Sequence, residues 1–229
     1  MIPKLTDHEV RVLGCLMEKS VVTPEQYPLT LNALMLACNQ KSSRDPMLNL
    51  TPVETQHAAR DLEAKLLLKR EENFRSGIEK FQQRFCNTAF STVQLSAQQF
   101  GALCLLLLRG AQTPGEIRSR AGRLCSFDTN EEAAAVLQSL IDREGGPLVA
   151  RLPRRPGRQD HEYTHLLAGE LESAPVDALV RTSSASVGRG DRADQGDRAD
   201  RSDRIAQLEA RVAALEAALD ALRADLGDR

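Results

Sequence analysis

The chain has few aromatic residues and no tryptophan: Phe, Trp and Tyr together make up 3% of its 229 residues. With 41% apolar residues, its cores are expected to consist mainly of Leu, Val and Ala, which favours helices over a β-sandwich. The apolar run at residues 103–108 is far too short to cross a bilayer. The N-terminus shows neither the apolar centre nor the cleavage site of a signal peptide. We therefore expect a soluble, cytoplasmic protein with no membrane partner.

The five cysteines show no CxxC pair and no close clustering. Most of them stand inside apolar runs, as small buried residues do. A reducing compartment is therefore expected, with no disulfide framework, no cysteine metal site and no cofactor. The cysteines are Cys15, Cys38, Cys86, Cys104 and Cys125.

No part of the folded chain is strongly basic. The net charge of −2 divides into +1 for residues 1–90, +1 for residues 91–168 and −4 for residues 169–229. Contacts with phosphates supply most of the non-specific affinity for nucleic acids, so bulk charge gives DNA binding little support.

A stretch near the N-terminus returns ninety residues later. Leu5-Thr6 corresponds to Leu95-Ser96, and Thr23-Pro24 to Thr113-Pro114, without a gap. The apolar positions between them also correspond, as do the signals for helix starts. A repeat of this length predicts two copies of one small domain, at residues 1–90 and 91–170.

Each copy reads as three helices followed by a β-hairpin. Thr6-Asp7-His8-Glu9 and Thr51-Pro52-Val53-Glu54 are capping boxes, and apolar residues follow each of them at helical spacing. Helices are expected from Thr6 to about 22, at 29–38, 51–67, 96–109 and 113–123, and from about 128 to 145. Strands are expected at 67–70, 78–85, 148–152 and 162–166. This order predicts a mainly α fold with small β-hairpins: two tandem winged helix-turn-helix domains.

The C-terminal part has a different composition. Residues 171–203, rich in Ser, Gly, Arg and Asp, read as a flexible linker. Residues 204–229 carry apolar positions at alternating spacings of three and four, which predicts a parallel coiled coil that joins two chains into a homodimer. One amphipathic helix folded back onto its own chain is the alternative. The seam consists of Ile205, Leu208, Val212, Leu215, Leu219, Leu222 and Leu226.

Long strings of the sequence resemble the YceH family, bacterial proteins grouped under a domain of unknown function. The strings are GCLMEKSVVTPEQYPLTLNAL, ACNQKSSRDP, KFQQRFCN, LLLRGAQTPGEIRSR and DREGGPLVARLPRRPGRQDHEYTHLLAGE. The resemblance covers about residues 4–170 and implies a tandem winged-helix fold. It implies no established activity and no catalytic residues, and the Asp/Arg-rich linker looks particular to this chain.

The segment from His161 to His165 matches the HExxH signature of zinc proteases. That chemistry needs both histidines on one face of a helix. Here the segment follows a turn and is expected to form a strand, where residues four apart lie roughly 13 Å from each other. Zn–N bonds of about 2 Å exclude a shared zinc at that separation. With no other catalytic constellation in the sequence, we expect a protein that is not an enzyme and binds no metal.

The leading interpretation is a regulator that binds double-stranded DNA. Arginine forks in the second wing suit phosphates, and Gln and Arg on the third helix of the first copy suit base edges. The loop before that helix adds two basic residues. The candidates are Lys41, Arg44, Gln56, His57, Arg60, Arg151, Arg154, Arg155 and Arg158. The alternative is a protein-interaction scaffold, which the nearly neutral repeats and the coiled coil would also suit.

Overall fold

The structure is a computed structural model that describes residues 3–72, 77–89, 91–154 and 160–168. These residues pack as one compact unit. The predicted linker and coiled coil, at 171–203 and 204–229, lie outside the described residues together with the whole apolar seam. Among the helices in this part of the chain, none is long and apolar enough to cross a membrane.

The first half of the chain places three helices before a hairpin. A short 3-10 turn, Pro24–Gln26, lies between the first helix and the first strand. The elements are α1 (Asp7–Val22), β1 (Leu29–Thr30), α2 (Leu31–Cys38), α3 (Pro52–Ala64), β2 (Leu68–Glu72) and β3 (Glu79–Gln83).

The second half repeats this order of helices and hairpin. Its elements are α4 (Ala97–Arg109), α5 (Pro114–Arg120), α6 (Asn130–Ile141), β4 (Val149–Arg151) and β5 (Tyr163–His165). The described residues thus form six α-helices and two small antiparallel sheets. This confirms the predicted combination of helices with small β-hairpins.

The predicted capping residues begin the helices. The Thr6 hydroxyl accepts the Glu9 amide, and the Glu9 carboxylate accepts the Thr6 amide at 2.7 Å. The same reciprocal box opens α3, α4 and α5. At α6 the Thr129 hydroxyl caps the helix alone, because the Glu132 carboxylate accepts the Asp128 amide instead. Each cap satisfies backbone donors that would otherwise lack partners in the first turn.

Two predictions about the first half are wrong in detail. Leu29 and Thr30 were expected at the start of a helix, but they form β1, and Thr30 caps α2 with its side chain. The third helix was expected to run from 51 to 67, but it ends before Leu66, which is 72% exposed. Helix α3 ends at Ala64, and the backbone at Leu66 takes a positive φ of 60°, which turns that side chain away from the buried stripe.

Each hairpin gains a third pairing partner from the segment between the first two helices of its half. In the first half, β1 pairs antiparallel with β3, so the sheet order is β1-β3-β2. In the second half, Gln112 and Tyr163 exchange both backbone hydrogen bonds, at 2.9 and 2.8 Å. The two halves therefore share the placement of this segment as well as the order of elements.

The two halves meet where α1 packs against α4. A Cβ atom at Gly14 would lie 3.0 Å from Leu108 Cδ2 and 3.1 Å from Leu107 Cβ. The Cys104 thiol lies 3.5 Å from the carbonyl oxygen of Gly14, to which it donates. Both helices contribute to one continuous core in which Leu13, Leu16, Leu103 and Leu106 are fully buried. Glycine at position 14 permits the close approach.

Candidate nucleic-acid interface

The loop between α2 and α3 is anchored at both ends. The Asn39 side chain donates to the Leu50 carbonyl and accepts the Leu50 amide, both at 2.8 Å. Inside the loop, the Asp45 amide donates to the carbonyl of Leu108 in α4. These contacts hold the loop against both halves and fix the surface that it presents.

Arg44, a candidate for phosphate contact, is buried beneath this loop. Its guanidinium donates to both Glu18 carboxylate oxygens, at 3.0 and 2.5 Å, and its Nε donates to the Ala37 carbonyl. The side chain has no solvent exposure. We therefore remove Arg44 from the candidate interface: it joins the loop to α1 and cannot reach a ligand on the surface.

Lys41 lies on the outer side of the same loop and is exposed. It lines an open cleft of about 490 Å³ together with residues of α1 and with Arg123, which follows α5. Lys41 and Arg123 form no ion pair with any residue in the described part of the chain. The cleft therefore presents cationic groups from both halves.

The outer face of α3 has mixed charge. His57 and Arg60 are exposed, and Gln56 is half-buried. The His57 ring lies 3.0 Å from the Asp61 carboxylate, and both residues line a second cleft with the start of α1. Arg60 forms no ion pair with a described residue. The base-reading candidates on α3 thus remain on the surface, but an acid accompanies one of them.

The hairpins differ in how their basic residues are paired. In the first hairpin, Lys69 contacts Glu71 at 2.6 Å, and Arg70 contacts Glu63 and Glu79. In the second, Arg151 ends β4 and is exposed, as is Arg154. Neither has an ion-pair partner among the described residues, whereas Arg155 and Arg158 lie outside them. Lys69 and Arg70 in the first hairpin are therefore paired with carboxylates, whereas Arg151 and Arg154 in the second are not paired with any described carboxylate.

Two basic residues of the cleft, Lys19 and Arg123, were not among the candidates predicted from the sequence. Arg118 and Arg120 lie in α5 and Arg123 follows it, so the sequence alone does not show which of them is free to bind a ligand. Arg120 bonds Gln112 at 2.9 Å and approaches Glu116 at 3.4 Å, and Arg118 approaches Asn130 at 3.5 Å. Of these three arginines, only Arg123 lines the cleft, which it shares with Lys19 of α1. Neither periodicity nor composition signals that these two residues line one cleft.

The last three residues of the HExxH segment form β5, and its first two precede that strand. The His161 ring Nδ1 lies 3.0 Å from the carbonyl oxygen of Leu152, on the other side of the hairpin. Across residues 3–72, 77–89, 91–154 and 160–168, no group of three or more His, Cys, Asp or Glu side chains is arranged to hold a metal ion. The segment therefore acts as a strand of the hairpin.

His165 makes stability depend on pH. Burial lowers its pKa from 6.5 to about 4, and the Asp7 carboxylate opposes this only in part. His165 binds a proton near pH 6.5 in the unfolded chain but only near pH 4 in the folded chain. Its contribution to the free energy of unfolding is therefore highest above pH 6.5 and falls as the pH drops toward 4. We expect unfolding free energy to fall by about 1–2 kcal/mol between pH 7 and pH 5 from this group.

Urea unfolding at the two pH values measures this loss, and His165→Gln should remove it. His57→Gln, which changes a histidine on the surface, is the matched control and should leave the loss in place. An equal pH dependence in wild-type protein and His165→Gln would contradict the assignment.

Comparison with known proteins identifies the family. The model of a family described as "Protein of unknown function, DUF480" matches residues 5–158. A UPF0502 protein of Vibrio cholerae is 51% identical over 171 residues, which are 75% of this chain and 79% of that protein. The chain belongs to this family of uncharacterised proteins, and the resemblance found in the sequence is confirmed.

Two longer matches extend over nearly the whole chain. A UPF0502 protein of Vibrio parahaemolyticus is 47% identical over 224 residues, 97% of this chain and 96% of that protein. One of Klebsiella pneumoniae is 44% identical over 225 residues, 98% and 99% of the two chains. These alignments continue past residue 170, where the resemblance was expected to end.

Proposed function

We propose that the protein is a tandem winged-helix protein that binds double-stranded DNA as a non-enzymatic transcriptional regulator. The order of elements supports this fold: in each half three helices precede a hairpin, and the segment between the first two helices pairs with that hairpin. In winged helices the third helix reads the major groove and the hairpin contacts the backbone. Here α3 and the second hairpin would take these parts.

One observation carries the proposal: several of the residues expected to contact DNA are exposed basic side chains without a carboxylate partner. Among the described residues they include Lys41, Arg60, Arg151 and Arg154. An unpaired cation on the surface exchanges only water and counterions when it meets a phosphate, whereas a paired one must first leave its partner. These local positive charges support DNA binding, although the net charge of the chain does not.

The C-terminal segment would present two copies of this surface. A parallel coiled coil through residues 204–229 joins two chains in the proposal, and two linked sites raise avidity when both reach one duplex. The seven apolar seam residues of the sequence support this part.

Fluorescence anisotropy with a labelled random duplex tests the proposal at two salt concentrations. We expect affinity to fall steeply with salt, because each phosphate contact releases counterions. Arg154→Glu combined with Arg155→Glu should weaken binding by at least about a hundredfold, since two contacts become repulsions. Glu71→Lys with Glu72→Lys, a matched change of opposite sign in the first hairpin, should not weaken it.

No binding at low salt would refute the DNA proposal. A chain that ends at residue 203 separates the tail from the contact surface: light scattering should show a dimer for the full chain and a monomer for the shortened one. A dimer in both cases, or a monomer in both, would refute dimerisation through residues 204–229 and leave the rest of the proposal in place.

The scaffold alternative is favoured by the apolar side chains that the first half exposes. Val53, in the first turn of α3, is 73% exposed, and Met47 is 68% exposed. Exposed apolar groups near the acidic Glu54, in the first turn of the same helix, suit a protein surface better than a phosphate backbone. Val53→Ser should weaken the binding of a protein partner and leave the affinity for duplex DNA unchanged. The variant therefore distinguishes the scaffold function from DNA binding.

A further inference from the structure

The open cleft between the two halves has an unusual charge distribution for a nearly neutral chain. Its described lining consists of Glu18, Lys19, Val22, Gln40, Lys41, Ser42, Ser43 and Arg123. Three of these residues are cationic and one is acidic. The cations come from α1, from the loop after α2 and from the residues after α5, so the folded structure assembles them from three distant parts of the sequence.

The one acid in that lining is already neutralised. Both carboxylate oxygens of Glu18 accept from the buried Arg44 guanidinium, at 3.0 and 2.5 Å. Lys19 approaches the same carboxylate at 3.5 Å. With Arg44 counted, four cations face one anion, which leaves three positive charges around the cleft. Glu18 therefore does not repel an incoming anion as a free carboxylate would.

The cleft also provides neutral hydrogen-bond donors. The exposed Ser42 and Ser43 lie in its lining beside the Gln40 amide. Arg44 holds this part of the loop by donating to the carbonyl oxygens of Ala37 and Ser43. Hydroxyl donors on a fixed loop, together with Lys and Arg, are the groups that bind phosphate oxygens in proteins.

We propose that this cleft binds a phosphate group, held by Lys41 and Arg123 from opposite halves of the chain. The inference deepens the proposed function when the phosphate belongs to a DNA backbone, and it then adds the region after α5 to the interface. A free phosphorylated molecule offers the same chemistry. In both cases the ligand bridges the halves, because no single element supplies both cations.

The test titrates the full chain with inorganic phosphate and pyrophosphate by calorimetry, and with the labelled duplex by anisotropy. Lys41→Glu and Arg123→Glu should each weaken pyrophosphate binding by at least about tenfold, as loss of one charge-assisted contact does. Lys80→Glu is the matched control, since Lys80 is exposed on β3 outside the cleft and carries the same charge change. It should change the affinity less than twofold.

The outcomes separate this site from the proposed function. Weaker binding of both pyrophosphate and duplex by the two cleft variants supports the site with a backbone phosphate as ligand. Weaker pyrophosphate binding alone supports it with a free phosphorylated ligand. Unchanged pyrophosphate affinity in both cleft variants would overturn the site, as would equal losses in all three variants. Duplex binding that still depended on Arg154 would then leave the DNA proposal standing. Circular dichroism checks that the variants fold, which surface positions should permit.

Discussion

Replacing Arg44 with Ala is expected to lower the free energy of unfolding by about 3 kcal/mol, since removing one partner of a buried ion pair leaves the other charge without compensation. Arg44 has no solvent exposure, and Glu18 retains only 12%. The substitution also removes donors from the carbonyl oxygens of Ala37 and Ser43, which hold the loop after α2. Urea unfolding followed by circular dichroism at pH 7 measures the change.

Two further variants identify the cause of the loss. Lys41→Ala removes a cation from the same loop at an exposed position and should change stability by no more than about 0.5 kcal/mol. Arg44→Met combined with Glu18→Gln removes both charges and keeps much of the volume, so it should recover part of the loss. If Arg44→Ala costs no more than Lys41→Ala, the buried pair does not stabilise the fold.

Gly14→Val is expected to destabilise the protein by about 2–3 kcal/mol, the cost of inserting carbon atoms into a well-packed contact. A first added carbon would meet Leu108 Cδ2 at 3.0 Å and Leu107 Cβ at 3.1 Å. Leu107 Cβ is attached directly to the backbone of α4, so the helices themselves must separate. Urea unfolding again provides the measurement.

Gly14→Ala makes the sharper comparison because helix propensity predicts the opposite sign. In an exposed helix interior, Gly→Ala stabilises by about 1 kcal/mol. At Gly115 in α5 an added carbon meets nothing nearer than Asn130 Nδ2 at 3.5 Å, an ordinary contact. Gly115→Ala should therefore be neutral or stabilising, whereas Gly14→Ala should be destabilising. Equal effects at both positions would contradict the tight packing of α1 against α4.

Local signals in the sequence predicted the helices well. Thr6, Thr51 and Ser96 each begin a helix in a reciprocal box, because a capping box depends only on residues three apart. Strand β1 was not predicted: Leu29 and Thr30 are too short a segment to show a period, and they become a strand only by pairing with β3. Their conformation depends on a partner fifty residues away.

The candidate interface was harder to predict because exposure in a loop follows no period. Lys41 and Arg44 stand three residues apart in one polar segment, yet one lies on the surface and the other is fully buried beside Glu18. Arg123 reaches the same cleft only through packing of the second half against the first. Spacing along the chain does not show which residues line the same cleft, because tertiary packing determines it.

The contact between Gly14 and Cys104 joins two positions that are ninety residues apart and lie in corresponding helices of the two halves. In a symmetric dimer, equivalent residues meet where the two-fold axis crosses the interface. Here both partners belong to one polypeptide, so their association is unimolecular and independent of protein concentration. In a homodimer, a substitution appears in both subunits. In a single chain with two corresponding halves, a substitution can change one half alone. This freedom is compatible with Lys69 and Arg70, which are paired in the first hairpin, and with Arg151 and Arg154, which are unpaired among the described residues of the second.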